Sequence, residues 1–122
     1  MSVTIRQVAI DTSDPHRLAN WWAEQTGGVI YADLGQYVMV GIGSRENGFS
    51  LCFQKVDEPT PGKNRVHLDC CAADVDAEAA RLVAAGAAFV ASHEHDGFAW
   101  TVLEDPDGNQ FCVVPTNPVD ML

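Results

Sequence analysis

The stretch Arg65-Val-His-Leu-Asp-Cys-Cys71 decides how the chain is read. It alternates as a strand does, with Val66, Leu68 and Cys70 on one side and His67, Asp69 and Cys71 on the other. The first side suits a covering helix. The second sets an imidazole, a carboxylate and a thiol next to one another. Gln7-Val-Ala-Ile-Asp11 near the N-terminus has the same form. Each stretch is followed by an aspartate that can cap a helix, Asp14 in one case and Asp74 in the other.

Working outward from these two stretches, the chain reads as one unit used twice. In the first half, Val3 to Asp11 is a strand, and a helix opens at Pro15 behind Asp14. That helix carries Leu18, Ala19, Trp22 and Ala23 on one stripe and closes at Gly27-Gly28. Three strands follow, at 29–32, 36–42 and 49–54, with a turn at 33–35 and a longer one at 43–48. Residues 56–64, broken by Pro59, Pro61 and Gly62, form a linker.

The second half repeats the order. A strand at 65–71 precedes a helix with Val75, Ala79, Leu82 and Val83 on its apolar stripe, closed by Gly86. Strands follow at 87–92, 98–103 and 109–114, with His93-Glu-His-Asp-Gly97 and Glu104-Asp-Pro-Asp-Gly108 as the turns. Laid over each other, the halves match Gln7 with His67, Asp14 with Asp74, Trp22 with Leu82 and Cys52 with Cys112. The expected fold is therefore α+β: two βαβββ modules, 1–55 and 65–115, within one domain of residues 1–122. Each helix covers one face of its sheet, and the two uncovered faces need each other. Their meeting makes an incomplete barrel around a central cavity. Gln7, Ala9, Asp11, His67, Asp69 and Cys71 would line it from the first strand of each half. Ser50, Cys52, Gln54, Gln110, Cys112 and Val114 would do so from the last. Trp100 sits mid-strand, and its period alone does not decide which way it faces.

Composition narrows the partners. The chain has 122 residues, 47% of them hydrophobic, enough for a real core. Seven Lys and Arg against 17 Asp and Glu give a formal charge of −10, which repels phosphate backbones and argues against nucleic acid. No apolar run reaches membrane-spanning length, and no basic-then-apolar leader opens the chain. The four cysteines, Cys52, Cys70, Cys71 and Cys112, match no disulfide or zinc-ribbon spacing. Reduced thiols in the cytoplasm are the expectation.

The paired layout, the Val66-His-Leu-Asp69 stretch and the Leu103-Glu-Asp-Pro-Asp-Gly-Asn-Gln-Phe-Cys112 hairpin together resemble the vicinal oxygen chelate superfamily of glyoxalases, extradiol dioxygenases and bleomycin-resistance proteins. The chain is most similar to its small glyoxalase-like domains. The resemblance implies a homodimer and a small-molecule ligand. It also implies a divalent-metal position at Gln7, Cys52, His67 and Cys112. Cysteine stands at both positions where metal-using members carry glutamate, which disfavours a hard Mg, Mn or Fe(II) centre. Two thiolates and an imidazole would suit zinc. The expected function is a small-molecule binding protein of the bleomycin-resistance kind, with no metal. It would sequester an aromatic or cationic compound through Gln7, Cys52, Gln54, His67, Asp69, Trp100 and Cys112. The alternative is an enzyme, a lyase, isomerase or dioxygenase, using zinc or another divalent metal, or acid-base chemistry at His67 and Asp69.

Overall fold

The structure, a computed structural model, describes residues 2–43 and 48–116. The chain divides into two compact units, Met1–Pro61 and Gly62–Leu122, so the boundary falls within the linker expected at 56–64.

The first module runs β1 (Gln7–Thr12), α1 (Pro15–Thr26), β2 (Val29–Asp33), β3 (Tyr37–Ile42) and β4 (Phe49–Lys55). Asp14 caps α1 by accepting from the Arg17 amide at 3.2 Å, and Gly27 ends the helix in the left-handed conformation at φ 71°. Leu18, Ala19 and Trp22 are buried on the face that α1 turns to β3 and β4. Val38, Val40, Leu51 and Phe53, each at most 1% exposed, complete this core. The sheet order is β1-β4-β3-β2, with β1 parallel to β4 and the other pairs antiparallel.

The second module runs β5 (Asp69–Ala72), α2 (Val75–Ala84), β6 (Ala88–His95), β7 (Phe98–Glu104) and β8 (Gln110–Pro115). Asp74 caps α2 by accepting from the Ala77 amide at 3.0 Å. Ala79 and Leu82 pack beneath the helix, and Leu103, Phe111 and Val113 are buried in the same module. Val83, placed on the apolar stripe by its spacing, is instead 42% exposed. The order β5-β8-β7-β6 repeats that of the first module, and neither sheet closes on itself. The repeat extends to register: Ala9 stands opposite Cys52, and Asp69 stands opposite Cys112. Each module also has a bulge in its outer hairpin, between Ile30 and Ala32 and between Phe89 and Ala91. The α+β class and the two βαβββ modules are as the sequence indicated.

Two boundaries differ from expectation. The strand expected over 65–71 begins only at Asp69, and Val66 is 76% exposed. Ahead of it the Asn64 side chain replaces the ladder. Its Oδ1 accepts from the Gln110 amide at 2.7 Å, and its Nδ2 donates to the carbonyls of Gln110 at 3.0 Å and Val66 at 2.7 Å. An amide side chain that mimics a peptide satisfies the end of β8 without a paired strand. The second difference is at 93–97. Strand β6 runs on to His95, and the turn shrinks to Asp96 and Gly97, with φ of 51° and 81°. Asp-Gly with both residues left-handed is the two-residue turn whose twist suits a tight hairpin, so the flanking residues stay paired. The expected turn at 43–48 falls largely outside the described residues.

Candidate functional site

The chemistry-bearing side chains of the second module gather on the sheet face that α2 leaves uncovered. On β7 the buried Thr101 and Leu103 alternate with Trp100 and Val102. The latter two line a hollow of about 200 Å³. His67 and Lys63 reach it from the segment before β5, His93 from β6, and Gln110 and Cys112 from β8. The direction of Trp100, undecided by its spacing, is thereby settled. Its ring lies 5.4 Å from that of His93 and 5.7 Å from that of Phe98, tilted against both, which makes an aromatic wall.

Beside this hollow His67, Asp69 and Cys112 form a cluster whose candidate ligand atoms all lie within 4.8 Å of one another. Alternation from His67 onward sets His67 and Asp69 on one side, with Nδ1 and Oδ1 3.9 Å apart. The parallel register brings Cys112 opposite Asp69. Burial raises the proton affinity of the Cys112 thiol. The Asp69 charge and a hydrogen bond to that carboxylate raise it further, while the Lys63 ammonium opposes them. Cys112 is thus held as a neutral thiol. The Asp69 side chain is 61% exposed, so its charge is met by water as well as by these partners.

Of the expected site residues, His67, Asp69, Trp100 and Cys112 come together in the second module. Gln7, Cys52 and Gln54 belong to the first. Gln7 is exposed on β1 opposite Ser50. Cys52 is buried on β4 between Ala9 and Met39, and burial pushes its thiol up. Gln54 is half-buried between Asp11 and Tyr37. Where the second module has His67 and Asp69, the first has Gln7 and Ala9, so the equivalent positions there carry no ionisable group. Lys63 and His93 were not among the expected ligand-binding residues. The first sat in the presumed linker and the second in the presumed turn. The Asp96-Gly97 signal would have found His93.

The cluster of His67, Asp69 and Cys112 fits a borderline metal such as zinc better than a hard cation. Imidazole, carboxylate and thiolate are the donors zinc accepts, and three protein ligands leave a fourth position open. Magnesium wants an all-oxygen octahedron, which this set does not offer. Zinc held here would polarise an oxygen of a bound compound. Its arrival would require the Cys112 proton to leave, so affinity would climb with pH.

Known proteins agree with this architecture. A family model described as a glyoxalase-like domain matches residues 7–114. No curated protein matches in sequence. Among solved structures, a glyoxalase/bleomycin resistance protein/dioxygenase family enzyme from Burkholderia phytofirmans PsJN superposes with TM-score 0.75 at 19% identity, covering 89% of this chain and 95% of its own. The genomically encoded fosfomycin resistance protein FosX from Listeria monocytogenes gives TM-score 0.79 at 13% identity over 100% of both chains. A lactoylglutathione lyase from Agrobacterium tumefaciens gives 0.69 at 20%, covering 94% of this chain and 95% of its own. At these identities the superpositions establish a shared fold. With the family model spanning both modules, the chain belongs to the glyoxalase-like domain family of the vicinal oxygen chelate superfamily.

Proposed function

We propose that the protein binds a small organic molecule on the open sheet face of its second module, in the manner of bleomycin-resistance proteins. The hollow beside Trp100 carries this reading. It joins an aromatic wall to convergent polar groups, the combination by which small-molecule sites hold and orient a ligand. Its volume of about 200 Å³ is below the range of drug-sized sites, which implies a compact ligand. The four cysteines are free, which suits a cytoplasmic protein. The test is a panel of compact aromatic compounds in a thermal-shift assay with the intact chain. Concentration-dependent stabilisation that Trp100→Ala removes supports the reading. A panel without any stabilisation counts against it.

A second reading has its own observation, the convergence of His67, Asp69 and Cys112 within 4.8 Å. As an enzyme of the superfamily, the chain would hold zinc on these three residues. Without metal, His67 beside Asp69 would serve as a general base. Cobalt(II) titration tests the metal-holding case. A thiolate-to-cobalt absorption band that Cys112→Ser abolishes favours the metal-holding enzyme, and a spectrum of free aqueous cobalt argues against it.

A further inference from the structure

We infer that the hollow on the second module selects a compact planar anion, an aromatic or conjugated carboxylate, over a cation. This rests on the binding reading above and names the ligand class. The chain as a whole is strongly acidic, with 17 carboxylates against 7 basic side chains. A surface drawn at random from it would be edged by Asp and Glu. The hollow is not: its ionisable lining groups are Lys63, His67, His93 and the Cys112 thiol, and no carboxylate lines it among the described residues. Asp69, the acid beside it, is engaged with His67 and Cys112. The lining therefore runs against the composition, and it does so where the aromatic wall is.

The geometry gives each part of such a ligand a partner. The ring of the ligand lies along Trp100, with the tilted rings of His93 and Phe98 beside it. The carboxylate takes hydrogen bonds from the Lys63 ammonium and the imidazole N–H groups. Such charge-assisted bonds are stronger than neutral ones. Lys63 lines the hollow together with Cys112, where its ammonium opposes the charge of the neighbouring Asp69. A cation would gain from the face of Trp100 but would meet the Lys63 ammonium. Long-range attraction by the acidic surface would hold it anywhere on the molecule rather than here.

The experiment is an amide-resolved NMR titration of the intact chain with three probes of one shape: benzoate, benzyl alcohol and benzylammonium. The expected result is that benzoate shifts His67, Val102, Cys112 and the Trp100 indole, binding about five- to tenfold more tightly than benzyl alcohol. Benzylammonium is the weakest. Lys63→Gln, a change at an exposed side chain, brings benzoate down to the level of benzyl alcohol. Benzyl alcohol or benzylammonium binding the same residues at least as tightly as benzoate overturns the choice of an anion and leaves the binding reading standing. No shift at these residues with any probe overturns both.

Discussion

Asp69 stands directly opposite Cys112 in the parallel pairing of β5 with β8, and its charge adds to burial in raising the proton affinity of the thiol. The first module has Ala9 opposite Cys52 at the same register, and there burial alone raises the thiol. Two differences in a repeated framework, Asp69 for Ala9 and His67 for Gln7, thus separate a plain buried cysteine from one clustered with a carboxylate and an imidazole.

Replacing Asp69 with Asn removes the negative charge that helps hold the Cys112 proton and leaves only a neutral amide oxygen as acceptor. The thiol then titrates at lower pH than in the unaltered protein, though still above an ordinary thiol because burial remains. Thiolate ultraviolet absorbance against pH, taken as the difference from a Cys112→Ser control, shows the shift. An unchanged profile would mean that the carboxylate does not act on the thiol.

Cys70 predicts alkaline instability. Burial first, and then the neighbouring Asp69 charge, push this thiol from 9.0 to about 11. The folded chain therefore holds the proton more tightly than the unfolded chain. The resulting stability is fully present below pH 9 and is lost as pH rises from 9 towards 11, by at most roughly 2–3 kcal/mol. Urea unfolding at pH 8 and pH 11 should show a smaller loss of stability in Cys70→Ala than in the unaltered chain.

Asn64 should matter more than a linker residue does. Asn64→Ala leaves the amide and carbonyl of Gln110 without their side-chain partners, which costs about 1–3 kcal/mol in denaturant unfolding. Asn64→Asp keeps the acceptor for the Gln110 amide and loses both donated bonds, so it should fall between the two. Equal stability of all three proteins would refute the clasp.

Gly28 is required by space rather than by dihedral angle. A Cβ there would lie 2.8 Å from the Gly41 carbonyl oxygen and 2.8 Å from a Val40 methyl. The carbonyl belongs to the backbone of β3 and cannot swing aside. Gly28→Ala is expected to cost about 1–3 kcal/mol, read from the unfolding midpoint. Gly35→Ala, where no atom crowds the added carbon, isolates the cost of a positive φ alone.

Much of the fold was legible because its signals are local. Asp14 with Pro15, and Asp74 ahead of Val75, announce their helices through bonds to amides three residues on. Alternation from Asp69 to Cys71 sorts the two faces of β5. The matched offsets of Gln7 with His67 and Cys52 with Cys112 disclosed the repeat, which the shared register and sheet order confirm. The ends of strands were less legible. Asn64 pairs with Gln110 across most of the second module, and no local pattern encodes a bond between such distant positions.

By itself, then, the sequence determined the two modules, their helices and caps, and the placing of His67 beside Asp69. These follow from periods and bonds that span a few residues. Only the tertiary structure decided that Lys63, His93 and Trp100 join His67 and Cys112 around one hollow. A strand has two faces that differ by a single step of register, and register is set by partners far along the chain.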